Sequence, residues 1–350
     1  MQGNKPSRKK QAVVPSDPLI GYLTTYNRAK ELPIQYDDML RYMAAIPLLN
    51  SDGKDTLWET VFYDQSDVKD IHQALCQIYA LLNTEGDLEV IEHLSVARVD
   101  FCTFGNTKPF RIRIINRLND NYDHFYIKQI DASRIYGLEL EGILSPNRLN
   151  FIIHENTIIE EHVAGVPGDD FMEHYLDVPK FDQIRIAKEF IKFNERCFVR
   201  LLGDMRAYNY IVDITPDIEG SQYRIRAIDF DQQSYEGRKS FYLPQFFKEN
   251  NPIIYMGIDH LKPEAVRQYQ LEERSLIARR ARNSKTRIND LLDCMQRDQL
   301  SSMKKVQELR QELATHHRNS IFDNCQTMGE IVLANLKLVL KKEFYSVMGS

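Results

Sequence analysis

The sequence predicts a bilobal α+β chain, with a first lobe built on an antiparallel sheet and a second that is mainly helical. Three observations point there. Between about residues 90 and 163 the apolar residues fall in short alternating runs separated by turns, most clearly in "PFRIRIIN". From about residue 260 they recur at helical spacing instead. Between these regions lies "VAGVPGDD", a Gly/Pro-rich linker. The 350 residues, 43% of them hydrophobic, suffice for two cores of ordinary size.

Residues 1–18, "MQGNKPSRKKQAVVPSDP", are basic and polar and lack the apolar stretch of a secretory signal, which predicts a flexible basic arm. Residues 19–90 are expected to form a helical extension, with helices over 36–49 and 66–83. In the second of these, Val68, Ile71, Leu75, Ile78, Tyr79 and Leu82 recur at three- and four-residue steps until "NTEGD" breaks the pattern. The first lobe is placed at 91–163. Its strands are "LSVARVDFCTF", "PFRIRIIN" and "HFYIKQI", then, after a helix at about 132–144, the pair "RLNFII" and "TIIEEHV". The core of the second lobe, 164–260, is expected to hold an amphipathic helix over 182–200 and the loop "GDMRAYN". The strand "YIVDI", a long turn "TPDIEGSQ" and the strand "YRIRAIDF" follow. Residues 261–350 complete the chain as a charged helical region with a more apolar last segment.

Composition narrows the function classes. A net charge of −5 supplies no overall field toward nucleic acid or an acidic membrane. Mean hydropathy is −0.44, and no run of about 18 apolar residues is present, which argues against a membrane span. Cys76, Cys102, Cys197, Cys294 and Cys325 are scattered and form no Cys-x-x-Cys pair, which fits a reducing cytoplasm better than a zinc site or a disulfide framework. The basic run "RSLIARRARNSKTR" at 274–287 is flanked by Glu272, Glu273, Asp290 and Asp293, so a solvated helix face is favoured over a phosphate-binding one.

Several polar residues stand where polar residues are costly. Lys128 lies inside an apolar strand and needs an acidic partner or an anion. At 100° per residue, Glu139 shares a helix face with Ile135, Leu138 and Ile143, whereas Glu141 points away, so Glu139 is the better inward partner. Asp204 and Asn209 sit in the loop after a helix. They serve either as turn caps, which both residue types favour, or as cleft-facing chemistry. Asp229 and Asp231 end a strand, where alternation lets both face one side. A carboxylate to orient a hydroxyl, hard oxygen ligands for magnesium and a cation for the phosphates are what phosphoryl transfer requires.

The order strand lysine, helix glutamate, "EEHVAG", "GDMRAYN", "IDFD" resembles the protein-kinase-like superfamily over about residues 94–235. Gly203 before Asp204 leans toward its aminoglycoside-phosphotransferase-like branch. The resemblance implies a kinase-like fold and an ATP- and Mg²⁺-dependent phosphotransferase. In it, Lys128 would hold the α- and β-phosphates and pair with Glu139, and Asp204 would be the catalytic base. Asn209 and Asp229 would bind magnesium, with Asp231 as a further metal contact. Arg206 would steady the γ-phosphate, Glu161 and Val163 would meet the adenine edge, and Gly105 would stand for the phosphate loop. The phosphate acceptor is left open between a small molecule and a protein. Departures from the pattern support an alternative, a pseudokinase-type module that binds a partner through its fold and helical extensions. The phosphate loop holds a single glycine, Tyr126 stands where a small residue usually roofs the adenine, and Glu160 is polar just before "EHVAG". Leu202 replaces the usual histidine, and no Ala-Pro-Glu follows Asp229.

Overall fold

In the computed structural model, which describes residues 10–50, 53–83, 88–104, 106–176, 181–218 and 220–340, the alternating runs become one antiparallel sheet of seven strands. The chain divides into two compact units. One holds the described residues up to Asp131 together with Leu149–His162, and the other holds Ala132–Arg148 and the described residues from Val163 onward. No helix among the described residues is long and apolar enough to cross a membrane.

The first unit begins with helices α1 (Asp17–Thr25) and α2 (Tyr36–Met39), strands β1 (Ala44–Leu49) and β2 (Asp55–Phe62), and helix α3 (Gln65–Asn83). Strands β3 (Leu94–Cys102), β4 (Phe110–Asn116) and β5 (Tyr122–Gln129) follow. After helix α4 (Ala132–Leu144), which belongs to the second unit, β6 (Phe151–His154) and β7 (Thr157–Glu161) return to the first. The strand order is β1-β2-β3-β4-β5-β7-β6. Alternation decides what each face carries: Phe110, Ile112 and Ile114 of β4 are buried in one cluster with Leu75, Ile78 and Leu82 of α3. Each such side chain contributes about 1.5–3 kcal/mol on burial.

Two expectations for this unit change. The helix expected over 36–49 is one turn, followed by a strand. Pro47 bars a helix interior, and the hairpin β1–β2 pairs onto β3 through Trp58 opposite Cys102, so the expected helical extension gives the sheet two further strands, with β1 at its edge. Residues 10–18, expected within a flexible arm, are held in place. Lys10 Nζ donates to Asp131 Oδ2 at 2.6 Å, with both side chains almost fully buried, and the Val13 N–H donates to Asp131 Oδ1. A buried ammonium needs such a counter-ion, and the carboxylate just before α4 supplies it. Residues 1–9 lie outside the described residues.

The second unit continues after α4 with β8 (Val166–Pro167), α5 (Gly168–His174) and α6 (Gln183–Arg200), then β9 (Tyr210–Asp217) and β10 (Gly220–Ala227). Helices α7 (Asn251–His260), α8 (Pro263–Asn283), α9 (Lys285–Arg297), α10 (Met303–His317) and α11 (Met328–Leu340) follow. Strands β8, β9 and β10 form a second antiparallel sheet in the order β10-β9-β8. The turn between β9 and β10 is shorter than expected, because pairing runs on to Asp217 opposite Gly220. Asp229 and Asp231 therefore lie beyond the strand rather than at its end.

Helix α6 is the spine of this unit and packs on α7, α8, α11 and β10. Asp182 caps its start by accepting from Arg185 N–H. Its end is closed by Leu201 in the left-handed region, φ 56°, and by Asn335 of α11, whose Nδ2 donates to the carbonyls of Phe198 and Val199 at 2.9 and 3.0 Å. The basic run of 274–287 does not simply face solvent. Arg274 pairs with Glu195, Arg280 with Glu273 and Arg287 with Glu139, because those carboxylates are buried and need cations.

Replacing Asn335 with Ala leaves two buried helix-end carbonyls short of a donor. Urea denaturation is expected to show a loss of about 1–3 kcal/mol, and an unchanged midpoint would discount the cap.

Candidate functional site

The loop that follows α6 is knitted to two other segments. Leu202 forms a lone antiparallel bridge with Gln233, and Gly203 N–H donates to Gln232 carbonyl. Glycine is required at 203, since a Cβ there would stand 2.7 Å from the Phe241 ring. Asp204 follows with φ +59°, a left-handed conformation uncommon outside glycine. That conformation is held by three hydrogen bonds. Asp204 N–H donates to Phe241 carbonyl at 3.1 Å, and the Asp204 carbonyl accepts from Arg206 N–H and from Asn209 Nδ2, the latter at 2.7 Å. Leu202 is buried completely, so this position packs the loop.

Asn209 joins Asp204 to the second acidic segment. Its carbonyl accepts the N–H groups of Ile228 and Asp229, at 3.0 and 3.4 Å, and its side chain holds Asp204 in place. Asp204 and Asp229 are thus fixed relative to each other by one residue. Burial, helped by the charges of Asp229 and Glu249 and opposed by the hydrogen bond and charge of Arg206, raises the Asp204 pKa to about 6. Arg206 bonds Asp204 Oδ1 through Nε at 3.0 Å and Glu249 through Nη1 at 2.7 Å, and its guanidinium lies 5.0 Å over the Phe247 ring. It is a fastened orienter of Asp204 rather than a loose cation.

Asp229 and Asp231 share a partner that sequence reasoning missed. Arg134, on α4, is 2% exposed and donates through Nη1 to Asp229 Oδ1 at 3.0 Å and to Asp231 Oδ1 at 2.6 Å. Its Nη2 reaches Ile228 carbonyl, and Asp231 N–H donates to Asp229 Oδ1. Asp231, grouped by sequence with the metal ligands, is buried against this arginine. No sequence signal marks Arg134, because it stands in the first turn of a helix whose apolar periodicity gives no sign that every face is covered.

Helix α4 explains the second difference. Every residue but Gly142 is buried, so Glu141, expected to point away, is inside as well as Glu139. Arg200 pairs with Glu141, and Arg287 makes a two-pronged contact with Glu139 at 2.7–3.0 Å. Packing of α4 against α8 and α9 brings Arg287 there. The carboxylate expected on Lys128 is therefore engaged by an arginine of its own unit.

Lys128 finds Glu160 in the first unit. Its Nζ lies 2.8 Å from Glu160 Oε2, and the two side chains are 9% and 2% exposed. On the antiparallel pair β5–β7, Lys128 stands opposite Ile158 and Tyr126 opposite Glu160, so Lys128 and Glu160 are diagonal neighbours on one face. The polar Glu160 in an apolar strand was the available signal for this pair. At the end of β7, Glu161 N–H is spent on Asn150 carbonyl, and Val163 is buried just beyond. Gly105 lies outside the described residues.

Asn209 and Asp229 carry oxygen donors of the kind that a divalent ion such as magnesium takes, and backbone hydrogen bonds join them; the Asp229 carboxylate is 35% exposed and is shared with Arg134. Among the described residues no group of three or more His, Cys, Asp or Glu side chains is placed to hold a metal ion. No family model and no curated protein matches the chain.

The raised Asp204 pKa has a consequence for stability. Between its ordinary value of 3.8 and about 6, Asp204 binds more protons in the folded chain than in the unfolded one, so stability falls as pH rises through that window. Asp204→Asn keeps an acceptor for Arg206 and removes the titration. Denaturation at about pH 8 is expected to show a gain on the order of 2 kcal/mol, with a flatter slope across the acidic window. The same slope in both proteins would contradict the burial argument.

Proposed function

We propose that the chain is a protein-kinase-like phosphotransferase that uses ATP and Mg²⁺ and transfers the γ-phosphoryl group to a hydroxyl of a small molecule or a non-classical protein acceptor. The observation that carries this reading is Asp204, a half-buried carboxylate in a strained left-handed conformation, with a pKa near 6 and locked to Asp229 through Asn209. Strain and a displaced pKa in one loop residue are the marks of a site kept for chemistry. The division into a sheet-rich unit and a mainly helical unit supports the bilobal reading.

The roles follow from the local geometry. Above about pH 6 the Asp204 carboxylate is ionised, and it is basic enough to take the proton of an acceptor hydroxyl as the new P–O bond forms and the bond to the β-phosphate oxygen breaks. Arg206, held by Glu249, aims Oδ1 of Asp204. Asn209 and Asp229 would hold magnesium, which would supply neutralisation of the phosphate charge. Lys128, paired with Glu160, keeps the role of phosphate-binding cation that the resemblance gives it.

A second reading, a binding module without transfer, is favoured by one set of observations. Lys128, Glu139, Asp229 and Asp231 all have protein counter-ions. Its partner would be a protein docked on the helical regions. Purified protein incubated with ATP and Mg²⁺ separates the two. Transfer is expected, with a rate rising through about pH 6. Asp204→Asn is expected to lower kcat by about 10²–10⁴-fold, and Asp229→Ala to abolish transfer. Unchanged turnover in Asp229→Ala would sink the phosphotransferase assignment, and no thermal shift with ATP and Mg²⁺ would favour the binding module.

A further inference from the structure

The acidic pair carries its own cation. Asp229 and Asp231 contribute two negative charges, and Arg134 offsets part of that charge with a single nitrogen lying between the two Oδ1 atoms at 3.0 and 2.6 Å. A guanidinium stays charged at every pH a protein survives, so this offset is constant. The two carboxylates are not equivalent. The Asp231 side chain is 7% exposed and has the shorter contact, whereas that of Asp229 is 35% exposed.

Arg134 is not placed to swing aside. It is 2% exposed and rises from the first turn of α4, a helix buried on every face. Two further ion pairs, Glu139 with Arg287 and Glu141 with Arg200, fasten α4 to α9 and α6. Releasing the guanidinium would strand a buried charge, which costs several kcal/mol. Among the groups facing it are Asp229, Asp231 and the Ile228 carbonyl, from the segment after β10.

We propose that Arg134 is a fixed stand-in for one divalent cation: it withholds Asp231 from metal coordination, limits the site to a single ion at Asn209 and Asp229, and weakens that ion's hold by competing for Asp229. This rests on the phosphotransferase reading and specifies how its metal site is loaded. The site is then selective for a metal that arrives already carried by phosphates, since the protein contributes one carboxylate shared with Arg134 and one amide oxygen.

Direct metal binding tests it without reference to turnover. The full chain is titrated with Mn²⁺ in the presence of a non-hydrolysable ATP analogue, and free Mn²⁺ is read by electron paramagnetic resonance. The wild type is expected to bind one ion, and Arg134→Gln to bind about tenfold more tightly, because a cation a few ångströms away has been removed. Two ions on the wild type, or the same Kd in Arg134→Gln, overturns the proposal. Circular dichroism shows whether Arg134→Gln keeps its fold. If it does not, Arg134→Lys takes its place, since a lysine bridges two carboxylates less well. A smaller tightening is then expected, and no change overturns the proposal. Equal Mn²⁺ binding in variant and wild type, with phosphate transfer intact, removes only the role of Arg134. No binding of Mn²⁺ or nucleotide to either protein removes the phosphotransferase reading along with it.

Discussion

Three charges on one helix, Arg134, Glu139 and Glu141, are buried, and each meets its counter-ion on a different part of the helical unit. Taking such groups out of water is costly, and breaking any one pair leaves an uncompensated charge inside. That demand fixes α4 against α6, α9 and the segment after β10 more firmly than apolar contacts alone would. Apolar faces accept small shifts, whereas an arginine between two carboxylates accepts one arrangement. The positions of Asp229 and Asp231 are set by a helix nearly a hundred residues earlier in the chain.

The loop after α6 obeys a different rule. It buries Leu202, Met205 and Ala207, and hydrogen bonds to the backbone set its conformation. Asn209 closes the loop on Asp204 with its amide and ties it to Asp229 with its carbonyl, so one residue sets the spacing of two carboxylates. Asn335 and Leu201 close the helix from which the loop departs. A left-handed aspartate inside this lattice stores local strain, which surrounding bonds must outweigh.

Local pattern made most of the elements legible. Alternation in "PFRIRIIN" and the three- and four-residue steps of 68–82 are properties of short stretches, and β4 and α3 follow them closely. The β1–β2 hairpin was hidden because "AAIPLL" has no alternation, and β1 is a strand through its pairing with β2, which in turn pairs with β3. In the site, Asp204, Asn209 and Asp229 were visible as polar residues in a spaced order, and the structure does connect these three. The counter-ions were not visible. Glu139 and Arg287 are 148 positions apart, Arg134 and Asp231 are 97 apart, and no spacing rule reaches across such distances. Glu160 was noticed as an oddity, and only the β5–β7 register turns it into the partner of Lys128.

The contact between Lys10 and Asp131 spans 121 positions of the chain. As a ribosome makes the protein, the lysine emerges early and its carboxylate much later, after β5 has been completed. The contact therefore cannot form before β5 has been made, and closing so long a loop is rewarded only once both of its ends are ordered.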